Sequence, residues 1–196
     1  MTERGGTQIL VVDDDVDVAE TYASHLGGQY AVETVYSGEA ALEALSPAVD
    51  IVLLDRRMPK LSGGEVLAAV RERGLETRVA MVTGEKADFD IIDMPFDDYV
   101  QKPVTPAALL GTVRHLERCL NYEEQMQEYY ALTAKRAALV ESKTPGELEA
   151  SEQFSDLEAD IEAAEAALSE LVSGFEPTDF DRAFRDIDRP EPPAAD

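Results

Sequence analysis

"QILVVDDDVDV", residues Gln8 to Val18, sets four aspartates within five positions directly behind a run of strand formers. Two carboxylates about 4 Å apart repel by roughly 4 kcal/mol at an effective dielectric near 20, so a cluster of this kind implies a cation to hold it. Behind the acids, apolar residues recur at helical spacing from Val16 to Leu26. The stretch therefore reads as a strand that ends in acids and turns into a helix, the first half of a repeating βα unit.

Four further strand candidates follow: "AVETVY", "DIVLLD", "RVAMVT" and "DYVQK". Between them lie helical stretches from Gly38 to Leu45, Gly63 to Arg73 and Pro106 to Leu120. Three of the strands are nearly all apolar, as in the middle of a parallel sheet covered on both faces. The alternation predicts a doubly wound, five-stranded parallel sheet with right-handed crossovers, an α/β class fold. In such folds ligands sit outside the carboxyl ends of the strands. Asp13 and Asp14 end the first strand, Asp55 the third, Thr83 the fourth and Lys102 the fifth, so all five belong to one sheet edge. The segment "GEKADFDIIDMPFDD" between the fourth and fifth strands is short, acidic and broken by Pro95, and has room for one short helix at most.

The bulk numbers set the class. With 41 acids against 17 bases the formal net charge is -24, which argues against generic binding to nucleic acid or to an anionic membrane. A hydrophobic share of 44% with clear periodicity marks a folded chain rather than a disordered one. Such acidity suits concentrated salt, where the Debye length shrinks to about 3 Å at roughly 1 M and like charges stop repelling. The single cysteine, Cys119, excludes an internal disulfide and reads as an apolar packing residue. No apolar run approaches the ~20 residues of a membrane span, and "MTERGG" lacks the apolar core of a signal peptide. The expected location is the cytoplasm.

Carboxylates at adjacent strand ends suit a hard cation such as Mg2+, which keeps several waters and needs few protein ligands. A calcium loop competes, because Asp13, Asp15 and Asp17 fit its first three positions. It fails downstream, where Val18 stands at the turn glycine and Ser24 at the terminal glutamate. Two acids with a metal, an isolated carboxylate on another strand, a hydroxyl and an ammonium are the parts of phosphoryl transfer. A carboxylate can attack phosphorus to form an acyl phosphate, while cations neutralise the transferring oxygens. His25 and His115 lie in helical stretches where the sequence suggests no metal-ligand or triad role, and they read as structural.

The acidic pair in "VVDDD", the "LLDRRMP" around Asp55, the threonine of "MVTG" and the lysine-proline of "YVQKP" occur in order on the expected strands. Residues 8–120 thereby resemble the receiver domain of two-component response regulators. The resemblance implies that Asp55 is the phosphorylated residue and that a sensor histidine kinase is the phosphodonor. It implies that Asp14 ligates magnesium directly and Asp13 through water, with Asp55 and the backbone carbonyl of Arg57 completing the protein's share. Lys102 pairs with the phosphoryl group, Thr83 moves toward it, and Tyr99 reports the state by its rotamer. The Lys102–Pro103 bond is expected to be cis. Asp15 and Asp17 have no part in that pattern and begin the first helix, where negative charge suits the dipole. By this reading the chain catalyses only its own phosphorylation and dephosphorylation and is not otherwise an enzyme. Two departures stand out. Arg57, two residues after Asp55, brings a guanidinium that could shield the acyl phosphate. The fourth crossover lacks about one helical turn, which makes the family's dimer face built on that helix unsafe to carry over.

Beyond Leu120 the character changes. "NYEEQMQEYYALTAKRAALVESK" is helical with a weak stripe of Met126, Tyr129, Thr133, Arg136 and Val140, and "TPGE" is a break. The next helix carries Phe154, Leu157, Ile161, Ala164, Leu168 and Leu171 at alternating spacings of three and four, an a/d seam. A short break between two such helices predicts an antiparallel hairpin. The expected organisation is a flexible N-terminus (1–7), a receiver (8–120), a helical hairpin (121–174) and an acidic, mostly disordered tail (175–196) in which Phe180 and Phe184 sit at helical spacing. The region from 121 on resembles the HalX-type extension behind receivers of salt-loving archaea. Its regular seam favours homodimerisation or docking on a partner protein. DNA binding by a transcriptional regulator is a disfavoured alternative, because Lys135, Arg136, Lys143, Arg182, Arg185 and Arg189 are scattered among more numerous acids. A different alternative is a scaffold that does not switch, its receiver fold kept for packing.

Overall fold

The computed structural model describes residues 6–85 and 87–173. The expected flexible segment up to residue 5 and the expected tail from 175 on, with Phe180 and Phe184, lie outside the described residues. The chain divides into two compact units, residues 1–117 and 118–196.

In the first unit β1 (Gln8–Val12), β2 (Ala31–Val35), β3 (Ile51–Leu54), β4 (Arg78–Thr83) and β5 (Asp98–Gln101) form one sheet in the order β2-β1-β3-β4-β5. Every pairing is parallel. The inner strands β1, β3 and β4 are buried almost throughout, which their unbroken apolar sequences require. Because successive side chains leave opposite faces of a strand, Leu10, Val12, Val52, Leu54, Val79 and Met81 form one packed layer. That layer meets Val66, Leu67 and Val70 of α3 (Gly63–Glu72) and Ala41 of α2 (Gly38–Ala44). The alternate residues Ile9, Val11, Ile51 and Leu53 are equally buried, as are Ala19 and Leu26 of α1 (Val16–Leu26) and Leu109, Val113 and Leu116 of α4 (Pro106–Ser142).

Local chemistry sets the helix starts. Asp15 caps α1, its Oδ1 accepting from the backbone N–H groups of Asp17 and Val18. Ser62 and Glu65 form a capping box on α3. The crossover from β4 to β5 holds one 3-10 turn, Phe89–Ile91, in line with the break expected at Pro95. In place of a full helix, the crossover is tied down by arginine. Arg71 on α3 donates to the Pro95 and Thr77 carbonyls and to Asp97 Oδ2, at 2.9, 2.8 and 2.6 Å.

The sequence reading of a helix ending at Leu120 and another beginning there is corrected: α4 is a single helix. No glycine or proline occurs from Thr112 to Ser142 to stop it. The expected break at "TPGE" ends α4 at Ser142, and within it α5 (Pro145–Glu149) forms as a short helix. Pro145 sits where its missing N–H costs nothing, and Thr144 with Glu147 closes a capping box. In the second unit α6 (Glu152–Ser173) runs antiparallel to the end of α4. Arg136 Nε donates to Glu158 Oε1 at 2.6 Å, and a cleft further along is shared by Asn121 and Gln125 with Ala167 and Leu171. Ala164 is the buried member of the seam, and Phe154, Leu157, Ile161, Leu168 and Leu171 are half-buried.

Candidate functional site: a carboxylate pair bridged by lysine

The parallel register delivers the site. Asp55 N–H donates to the Val12 carbonyl at 2.8 Å, and Lys102 N–H to the Thr83 carbonyl at 2.8 Å, so each chain leaves its strand beside its neighbour. Asp13 and Asp55 therefore emerge side by side, both buried, at 2% and 7% exposure. Lys102 Nζ donates to Asp13 Oδ2 and to Asp55 Oδ1, each at 2.6 Å. The remaining oxygens are also engaged: Asp15 N–H donates to Asp13 Oδ1 at 3.1 Å and Arg57 N–H to Asp55 Oδ2 at 2.7 Å. The Lys102–Pro103 peptide is cis.

The charges respond to this enclosure. Burial pushes the Asp55 carboxyl above its ordinary value, and the Lys102 ammonium and the Arg57 N–H only partly offset it. For Lys102, burial alone would lower the value, but the hydrogen bonds and charges of Asp13 and Asp55 outweigh it and hold the ammonium above its ordinary value. The lysine stays protonated, and the Asp55 carboxylate is held by two donors, Lys102 Nζ and Arg57 N–H.

Thr83 is buried at the end of β4, and its Oγ1 accepts from Glu85 N–H at 3.3 Å. Tyr99 is half-buried, donates its hydroxyl to the Glu85 carbonyl at 2.9 Å and stacks obliquely on Phe96. Burial raises the Tyr99 phenol, opposed by the neighbouring Arg56. The Arg57 guanidinium is paired with the Glu85 carboxylate and is 78% exposed, so its charge is directed to Glu85. Arg56 pairs with Glu85 and with Asp90 on the 3-10 turn. Sequence reasoning missed Arg56, Glu85 and Asp90. Their signal was present as paired arginines behind Asp55 and acids in a crossover too short for a helix.

Asp13, Asp55 and Lys102 are thus brought together, with Thr83 at the end of the next strand. Asp14 is exposed, and among the described residues no three or more His, Cys, Asp or Glu side chains gather closely enough to hold a metal. Two carboxylates that converge on a single cation nevertheless fit a hydrated divalent ion, which needs few protein oxygens. The side chains that could hold such an ion are Asp13 and Asp55, both buried, with the exposed Asp14 at the same strand end.

Residues 9–114 match the response regulator receiver domain and residues 118–184 the HalX domain. The chain belongs to the response regulator receiver family of two-component systems and carries a HalX domain behind its receiver. A Haloferax volcanii protein provisionally named a transcriptional regulator is 44% identical over 195 residues, covering 95% of this chain and 33% of its own. The transcriptional regulatory protein DltR of Streptococcus agalactiae is 38% identical over 112 residues, covering 55% of this chain and 50% of its own. The chain therefore spans a third to a half of the length of these relatives. Among solved structures, the BeF3-activated receiver domain of DrrB, a Thermotoga maritima protein, is 32% identical with a TM-score of 0.53, covering 57% of this chain and 97% of that one. A CheY-like receiver from Methanospirillum hungatei JF-1 is 26% identical with a TM-score of 0.52, covering 58% and 95%. Among the described residues no helix is long and apolar enough to cross a membrane.

Proposed function

We propose that Asp55 accepts a phosphoryl group from a sensor histidine kinase and that the modified receiver changes how the C-terminal helices associate with a protein partner or a second copy. An Asp55 oxygen attacks phosphorus, the nitrogen–phosphorus bond of the donor phosphohistidine breaks, and the imidazole leaves with the electron pair. The product is an acyl phosphate on Asp55. Lys102 holds the acceptor in place beforehand and pairs with the phosphoryl oxygens afterwards. Asp13, Asp14, Asp55 and the Arg57 carbonyl are the groups that would hold Mg2+, which when bound supplies further positive charge to the phosphoryl oxygens. The Thr83 hydroxyl exchanges Glu85 N–H for a phosphoryl oxygen, and Tyr99 is released from the Glu85 carbonyl. One observation carries the reading: Lys102 Nζ stands 2.6 Å from both Asp13 and Asp55.

The test is incubation with Mg2+ and a small acyl-phosphate donor, followed by intact mass. The expected result is a gain of one phosphoryl group that Asp55→Asn abolishes. An unmodified wild-type chain would instead favour the scaffold that does not switch. A role in transcription comes from the names of the relatives. Direct contact with DNA is the weaker version of it, because Arg136 and Lys143 are already paired with Glu158 and Glu147.

A further inference from the structure

The segment that follows α6 carries a periodicity of its own. Phe180 and Phe184 belong to a longer pattern, Phe180, Ala183, Phe184 and Ile187, which repeats at i, i+3, i+4 and i+7 and predicts one apolar helical face. Thr178 with Asp181 three residues later has the form of a capping box, Pro177 precedes it and Pro190 closes the run. The predicted helix is 179–189. Asp179, Asp181, Asp186 and Asp188 border its apolar face, and Arg182 and Arg189 fall on the opposite side. A helix of this length is marginal alone in water, so the face needs a surface to cover it. The match to the HalX domain points to a surface in the same unit, because it runs past the end of α6 at Ser173 to residue 184 and takes in both phenylalanines.

We infer that residues 179–189 dock as a helix in the cleft between α4 and the end of α6. That cleft, of about 420 Å³, is shared by Asn121, Glu124 and Gln125 on α4 with Ala167, Glu170 and Leu171 on α6. Ala167 and Leu171 are half-buried and give it an apolar wall, and Val172 beside them is 54% exposed. Chain length selects this cleft. Phe180 reaches at most about 25 Å from Ser173 even fully extended. Ala167 lies only about 9 Å back along α6 at 1.5 Å per residue, well within that reach. A second cleft, lined by Leu139, Leu148 and Phe154, is too far. Phe154 stands about 28 Å back along the same helix. Gly174, directly after α6, suits the reversal of the chain. Charge sets a condition. Glu124 and Glu170 are exposed on the cleft, and the aspartates border the docking face, so acids meet acids. Docking is therefore weak at low salt and tightens as the Debye length shrinks toward about 3 Å at roughly 1 M. Docked there, the segment occupies a cleft that the two helices would otherwise offer to a partner or a second copy. The docking requires neither phosphate nor the reading proposed for Asp55.

Hydrogen exchange of the full chain, resolved by residue, tests this at low salt and at about 1 M potassium chloride, where screening is strong. Nuclear Overhauser contacts between the phenylalanine rings and the Leu171 methyl groups locate the segment. At high salt the amides of 183–189 should exchange at least about tenfold more slowly than in an unfolded chain, the mark of a closed form favoured tenfold over an open one. The protection should be weaker at low salt, and a ring of Phe180 or Phe184 should touch Leu171. Phe180→Ser/Phe184→Ser and Ala167→Arg should each abolish both signals, one from the segment and the other from the cleft. Arg182→Ala, on the far side of the predicted helix, should keep both. Amides of α6 around Ala164 report in each variant that the two helices remain folded. Amides of 183–189 left unprotected at about 1 M salt overturn the proposal. So does protection that survives Ala167→Arg, which would seat the segment elsewhere, or protection that rises with protein concentration, which would make the occupant a second copy's segment.

Discussion

Gly63 lies directly against the backbone of Asp55. Its N–H donates to the Arg56 carbonyl at 3.0 Å, and a Cβ added to it would overlap the Asp55 carbonyl oxygen. The next residue differs: a Cβ on Gly64 would make ordinary contact with Met94 Cε at 3.6 Å. Gly63→Ala must push the β3–α3 connection away and is expected to cost about 1–3 kcal/mol, as overpacking does. Gly64→Ala relieves the unfolded chain of glycine's freedom and should be neutral or gain up to about 1 kcal/mol. Urea unfolding midpoints compare the two. Equal effects would mean that the close approach at Gly63 does not constrain the site.

Lys102 is the cation shared by two buried carboxylates, so its removal should be felt as charge. Lys102→Met leaves Asp13 and Asp55 facing each other, and breaking a buried pair in this way costs about 3–5 kcal/mol. If the pair is also a site for a divalent ion, Mg2+ should restore part of that stability in Lys102→Met and less of it in Lys102→Met/Asp55→Asn. Thermal unfolding with and without Mg2+ reads both effects. Equal recovery in the two variants would remove Asp55 from the ligand set.

Asp98 gives a pH dependence whose sign is fixed by its surroundings. Burial pushes its carboxyl above the ordinary value, and the nearby Asp97 adds to this. The Tyr99 N–H, the charge of His115 and the Thr112 hydroxyl oppose it. A carboxyl raised in the folded state contributes stability that is full below its unfolded value of about 3.9 and is lost as pH rises through the folded value. At neutral pH the ionised group works against the fold. Asp98→Asn keeps an acceptor for Tyr99 N–H, which donates to Oδ1 at 2.8 Å in the wild type. The variant should be the more stable of the two at about pH 7, with the advantage fading toward about pH 4 as the wild type protonates. Denaturant titrations across that range check it. An advantage that does not vary with pH would show that charge is not its origin.

The parts of this molecule legible in the sequence are those written in local pattern. Apolar runs marked β1, β3 and β4 because both their faces are covered, and chemical residues at strand ends marked the site because parallel strands share one carboxyl edge. Arg71 was not legible. It lies on a helix where a charged residue reads as solvated, and two of its partners, the Pro95 and Thr77 carbonyls, carry no side-chain signature. Arg56 and Glu85 were hidden for a similar reason, since their pairing depends on how a helix-poor crossover folds back. The continuity of α4 past Leu120 was masked by a change in composition, although the backbone met no residue that could end it.

Arg71 carries the next prediction. Its planar fork reaches two carbonyls and a carboxylate at once, an arrangement that an ammonium on a flexible stem cannot reproduce. Arg71→Lys should therefore lose most of what Arg71→Ala loses, about 1.5–3 kcal/mol for hydrogen bonds to charged groups. The loss should be local, with amide exchange quickening across the crossover and not in β1 or β3. Hydrogen exchange resolved by residue separates this outcome from uniform destabilisation, which would deny Arg71 its role as the clamp.

Arg57 and Glu85 set the last prediction, which concerns the lifetime of the acyl phosphate. The Arg57 backbone donates to Asp55 while its guanidinium is drawn to the Glu85 carboxylate. In that position the guanidinium is held aside, and a phosphoryl group on Asp55 would compete with Glu85 for it, since guanidinium pairs with either anion. Glu85→Ala removes the competitor and should lengthen the lifetime by letting Arg57 cover the phosphorus from water. Arg57→Ala should shorten it, and the double variant should resemble Arg57→Ala, because Glu85 acts here only through the arginine. Phosphate release from purified phosphoprotein measures all three. A double variant that instead follows Glu85→Ala would show that the glutamate acts on the site by its own charge, and equal rates in all chains would remove the pair from the chemistry.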